Sequence, residues 1–127
     1  MEFVVSEFPL YVASLIIGIW GVAHLFATRG VVAGFGDLAA DNRRIITMEW
    51  IVEGVALVST AAFVSVATAI EPEAAVSSAV YAVAIGTLIV LTVVSLFTGF
   101  NVPFLPFRLC PFVLSSSAAL IAWGAWG

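Results

Sequence analysis

Residues 45–70 read IITMEWIVEGVALVSTAAFVSVATAI, an apolar run interrupted near one end by Glu49 and Glu53 and closed by Glu71 and Pro72. About 20 residues of helix cross the hydrocarbon of a bilayer, so this run is long enough to span one. Counting back from Glu71 puts Trp50 near the far boundary, Glu49 at the interface and Glu53 a turn inside it. Helix is the required form, because backbone N–H and C=O groups in lipid must find their partners within the segment. Apolar runs over about 8–28, 74–99 and 109–127 complete a set of four. The fold class expected is all-α: an integral membrane antiparallel four-helix bundle, one domain over residues 1–127.

Composition points the same way. A chain of 127 residues that is 63% hydrophobic and 9% charged, with mean hydropathy +1.21, cannot cover itself with an ordinary water-facing surface. The lipid bilayer is its expected partner. A net charge of -4 and the absence of any Lys and Arg cluster leave no footprint for nucleic acid. Cys110 is the single cysteine and can form no intrachain disulfide. The first span is preceded by Glu2 and Glu7 rather than a basic segment, so it reads as a retained span and not a cleaved leader.

The connections carry the sidedness. Arg29, Arg43 and Arg44 fall between the first two spans and Arg108 between the last two, which four spans place on one side of the membrane. The excess of arginine makes that side cytoplasmic, so both termini and the Glu71/Glu73 loop are expected to be extracytoplasmic and the protein a multi-pass resident of the cell membrane. Residues 29–44 read as a glycine-broken connection, with Gly30, Gly34 and Gly36 ending helix and Asp37 or Asp41 capping the next one. Residues 100–111, with Pro103, Pro106 and Pro111 among aromatics, read as an irregular interfacial loop. Small residues at Gly18 and Gly21, at Ala82 and Gly86, and over 115–119 allow helices to approach, within one bundle or between copies of a homo-oligomer.

Function should reside where ionisable residues enter the apolar runs. His24 lies seventeen residues after Glu7 and Glu53 eighteen before Glu71. At about 1.5 Å per residue on antiparallel helices the two reach nearly the same depth and can meet. Ionisable groups at such depth usually face the bundle interior and mark functional sites. Glu49 and Glu53 share a helix face, and a poorly solvated Glu53 can shuttle a proton or donate a hydrogen bond to a ligand. Trp20 stands one turn from His24, so indole and imidazole can line one wall of a site for a flat, polar-edged molecule such as a quinone head group. Arg108 can anchor to headgroups or close the mouth of the site by pairing with Glu49. The ligand-binding candidates are therefore Trp20, His24, Glu49, Glu53 and Arg108. A metal reading would use His24, Glu49 and Glu53. With one histidine in the chain, the paired Glu-x-x-His motifs of a dinuclear bundle site are excluded. Cys110, followed by Pro111, reads as structural, and neither composition nor spacing names a cofactor.

The segments RRIITMEWIVEG (Arg43 to Gly54) and LCPFV (Leu109 to Val113) look like recurring pieces of small four-span membrane proteins. With the Gly-rich first connection and the acidic-plus-Gly start of span two, the layout resembles the DoxX-like group. That resemblance implies association with quinone-linked and thiol redox complexes, and it carries over Glu49, Glu53 and Gly54 by position. The chain departs from thiol chemistry in having no second cysteine. Three functions follow as expectations: a cytoplasmic-leaflet pocket for a small amphipathic or quinone-like ligand, in a protein acting alone or as a subunit of a membrane complex; a proton-coupled transporter or channel protomer using Glu53; and a structural or accessory subunit.

Overall fold

The computed structural model describes residues 4–127. It consists of four helices, α1 (Glu7–Gly34), α2 (Ala40–Ile70), α3 (Ala75–Phe97) and α4 (Leu105–Trp126), with one 3-10 turn at Gly99–Asn101 before α4. Each of the four is long and apolar enough to cross a membrane. The molecule is a helical bundle whose core takes one face from each: Leu10, Ala13 and Ile17 of α1, Leu57, Ala61 and Val64 of α2, Tyr81, Ala84 and Leu88 of α3, and Leu114, Ala118 and Ile121 of α4. Steps of three and four residues along each helix put these on one stripe. Residues off the stripe are as apolar as those on it, with Phe26, Phe63, Ile70 and Phe97 open to the outside. In water such a surface would drive aggregation, whereas hydrocarbon solvates it at no cost.

Glycine sets how closely α1 and α2 approach. A Cβ on Gly21 would lie 2.9 Å from Val58 Cγ2 and 3.0 Å from the Val58 backbone nitrogen, and one on Gly54 would lie 2.6 Å from Leu25 Cδ2. The backbones of α1 and α2 can therefore touch along this seam, which is what small residues accomplish where hydrophobic burial drives nothing. Another seam joins the start of α1 to the end of α4, where the Ser6 amide donates to the Gly124 carbonyl at 2.8 Å. Between α2 and α3 the polar ties lie near the connecting turn: Thr68 Oγ1 and Tyr81 Oη are 3.0 Å apart, and Ser77 Oγ donates to the Glu71 carbonyl at 2.7 Å.

Two connections are shorter than the sequence predicts. Helix α1 continues through Gly30 to Gly34, and only residues 35–39 separate it from α2, with Gly36 at φ +72 making the turn. A glycine costs about 1 kcal/mol inside a helix, less than releasing backbone groups near lipid, so Gly30 and Gly34 do not break it. Neither Asp37 nor Asp41 caps α2: its N-cap is Ala39, and Asp41 sits in the first turn, where it accepts from Arg44 Nη1 at 3.1 Å. Helix α4 begins at Leu105, inside the segment expected to be irregular. Pro106 falls in the first turn, where no N–H is required, and Pro111 is buried within the helix. A proline there removes the bond to the carbonyl four residues earlier, that of Phe107, without ending the helix.

Candidate functional site

Depth counting brings His24 and Glu53 together, and the structure has them in contact: His24 Nε2 lies 3.5 Å from Glu53 Oε2. The seam geometry is the cause. Gly21, one turn before His24, and Gly54, next to Glu53, let the α1 and α2 backbones close until side chains of ordinary length meet. The imidazole is 10% exposed and the carboxyl 39%, so the pair is a buried nitrogen backed against a half-open acid.

Trp50, one turn before Glu53 on α2, holds the imidazole in place. Its ring stacks on His24 with centroids 3.8 Å apart and planes within 10°, and its Nε1 donates to the His24 carbonyl at 2.8 Å. Phe107 of α4 meets the indole edge-on at 5.7 Å. The stack contributes about 0.5–1.5 kcal/mol beyond the area it buries and fixes the direction in which the imidazole nitrogens point. His24 Nε2 nevertheless has no hydrogen-bond partner. Its nearest polar group is Glu53 Oε2 at 3.5 Å, a contact looser than a hydrogen bond, in a chain whose buried hydroxyls are fully bonded, Ser14 to the Leu10 carbonyl and Thr68 to that of Val64.

On α4, the Cys110 thiol accepts from Ser95 Oγ of α3 at 3.5 Å. The contacts at the site thus come from His24 of α1, Trp50 and Glu53 of α2 and Phe107 of α4, while Ser95 and Cys110 pair with each other between α3 and α4. Trp50 and Phe107 go unsignalled as site residues in the sequence, although Trp50 shares the helix face of Glu53 at a spacing of three. Cys110, read there as structural, packs against the core beside Ser95.

Other sequence candidates stay apart. Trp20, one turn before His24 on α1, is partly buried and packs against the core. Glu49 and Arg108 are both exposed, and the ion pairs among the described residues are His24–Glu53 and Asp41–Arg44, so the expected Glu49–Arg108 closure is not formed. Sharing a depth with the site does not aim a side chain at it; both project from the outward sides of their helices. The alternative metal set of His24, Glu49 and Glu53 fails on the same ground: no three His, Cys, Asp or Glu residues are grouped to hold an ion among the described residues. Two surface recesses lie nearby in the bundle, a groove of about 840 Å³ along α1 and α2 around Gly18 and Val22, and a crevice of about 490 Å³ between α2 and α3. No family model matches the chain, and neither does any curated protein or solved structure, which leaves the DoxX-like resemblance an expectation.

Proposed function

We propose that the chain is a multi-pass protein of the cell membrane, an antiparallel four-helix bundle with both termini outside, whose His24–Glu53 layer binds a small amphipathic or quinone-like ligand in the cytoplasmic leaflet. It does so alone or as a subunit of a membrane complex. Sidedness is supported by Arg29, Arg43, Arg44 and Arg108, all at one end of the apolar runs. Opposite directions of neighbouring helices are supported by the Ser6–Gly124 hydrogen bond and by Gly21 packing on Val58.

The observation that carries the ligand reading is His24 Nε2, which has a carboxylate beside it at 3.5 Å but no hydrogen bond. It is buried, held in direction by the Trp50 stack, and adjacent to a carboxyl that is still partly open. A ligand that hydrogen-bonds this nitrogen recovers the desolvation cost, and Glu53 supplies a second contact of a different kind. A second reading is favoured by the Trp50 Nε1 bond to the His24 carbonyl, which ties α1 to α2 whether or not anything binds: the layer then serves only to lock helices.

Mass spectrometry of small molecules copurifying with the protein in mild detergent separates the two. Glu53→Gln keeps shape and hydrogen bonding but loses charge, and the proposal expects it to lower retained ligand about tenfold with little change in melting temperature. The double change His24→Leu with Glu53→Leu removes both buried partners together and is expected to leave a stable fold with its ligand gone. A stable double variant with unaltered ligand content would leave the locking role alone.

A further inference from the structure

We propose that the groove along α1 and α2 holds an acyl chain of an anionic phospholipid, whose phosphate is bound at the arginine end by Arg29 with help from Arg44. The groove has a volume of about 840 Å³ and is lined by Gly18, Val22 and Phe26 of α1 and by Val58, Ala62 and Ser65 of α2. It is separate from the His24–Glu53 layer, none of whose contacting residues lines it.

Both helices carry the face of the groove on into an arginine. On α1, Arg29 comes eleven residues after Gly18, seven after Val22 and three after Phe26; on α2, Arg44 precedes Ile51 by seven and Val58 by fourteen. Steps of three, seven, eleven and fourteen stay on one side of a helix, so the apolar trough opens toward two guanidinium groups. Both arginines are exposed. Arg29 enters no ion pair among the described residues, and Arg44 meets Asp41 at 3.1 Å with both side chains largely open, a pairing that contributes little at a surface.

Depth agrees with this arrangement. Arg29 lies 22 residues after Glu7 and Arg44 lies 27 before Glu71, about 33 Å and 40 Å along their helices. Hydrocarbon occupies about 30 Å of a bilayer and headgroups extend it to about 40–45 Å. With Glu7 and Glu71 at the opposite boundary, both arginines stand in the headgroup layer of one leaflet. From Arg29 back to Gly18 is about 16 Å, the depth of one leaflet. A lipid of that leaflet therefore brings its head to the arginines and its tail to Gly18, in the orientation it already has.

The head chemistry follows from the charges at each end. A guanidinium fork matches phosphate oxygens in pairs. A head that also carries an ammonium finds little to meet it: Asp41 is engaged with Arg44, and Glu49, two residues from Ile51, projects from another side of α2. At the far end the groove finishes beside Tyr11, with Glu7 one turn beyond it and no arginine in that half of the chain's spans. An anionic head from the other leaflet would meet a carboxylate there.

The test is photolabelling of the full-length protein in phosphatidylcholine vesicles with phosphatidylglycerol carrying a diazirine on its chain, followed by peptide mapping. Expected is saturable labelling of the peptides around Val22 and Ala62, competed by unlabelled phosphatidylglycerol far better than by phosphatidylcholine of the same chains. Arg29→Gln is expected to weaken that competition about fivefold, and Arg44→Gln by less. Ala23→Phe with Ala62→Phe fills the groove from exposed positions and is expected to remove the labelling about tenfold. The proposal is overturned if the two lipids compete equally, if labelling spreads evenly over the outward face of α3 at Val90 and Val93, or if filling the groove leaves it unchanged. Cross-linking between copies through Ala62→Cys, with the groove unlabelled, would give this face to a second copy and overturn it as well. Labelling lost in His24→Leu with Glu53→Leu but kept in the filled groove would move the lipid to the buried pair, so the groove falls while the ligand-binding reading stands.

Discussion

Helix α2 has two neighbours in sequence and meets them in opposite ways. Against α1 it closes until a single Cβ has no room, at Gly21 and at Gly54; against α3 it is tied near the connecting turn by Thr68, Tyr81 and Ser77 and then parts to leave a crevice of about 490 Å³. Both seams are made of apolar residues in a solvent equally apolar, so hydrophobicity does not distinguish them. Shape does. Where both helices offer glycine the backbones meet and force polar side chains into contact; where α3 offers Val80, Val83 and Thr87, the helices remain apart below their hydrogen-bonded end.

That contrast can be broken most severely at Gly21. Gly21→Leu must displace the Val58 backbone as well as its side chain, and overpacking of this kind, with more than one methylene added, is expected to cost about 3 kcal/mol. Unfolding in mixed micelles would show it, with loss of Trp50 fluorescence features as the stack on His24 opens. A near-neutral Gly21→Leu would mean that the seam is looser than described. Less drastic is Tyr81→Phe, which removes the hydroxyl facing Thr68 at 3.0 Å. Thr68 keeps its bond to the Val64 carbonyl, so the expected loss is about 1 kcal/mol, read by the same unfolding measurement. The smallest effect is expected at Gly86 of α3, where an added Cβ meets nothing within 4 Å. Gly86→Leu should change stability by no more than about 0.5 kcal/mol, and a large loss would point to a helix partner on that face, such as a second copy.

Much of this was legible in the chain. The four spans followed from run length, and the meeting of His24 with Glu53 followed from counting residues from Glu7 and Glu71, because axial rise per residue is nearly constant. Rotation about the helix axis is another matter. Spacing says that Glu49 and Glu53 share a face, but packing decides how that face is turned, and Gly54 against Leu25 turns it so that Glu53 meets His24 while Glu49 stays exposed. Arg108 went astray for the same reason. Helix ends were misread where a local rule was outweighed: Gly30 and Gly34 break helices in water more readily than beside hydrocarbon, and Pro111 tolerates a helical position once α4 has started upstream at Leu105. The Trp50 stack needed the α1–α2 seam to be known before its partner could be named.

Five of the buried and half-buried hydroxyls share a habit with a consequence for charge movement. Ser14, Thr60, Thr68, Thr87 and Ser117 each donate to a carbonyl three or four residues back in their own helix. A hydroxyl relays a proton only by passing its hydrogen to the next acceptor in a chain while taking one from behind, and an amide carbonyl passes nothing on. Each of these residues is therefore a terminus rather than a link in a Grotthuss wire. Along the half of the bundle between Glu53 and Glu71, hydroxyls tied in this way do not line up into a hydrogen-bonded chain.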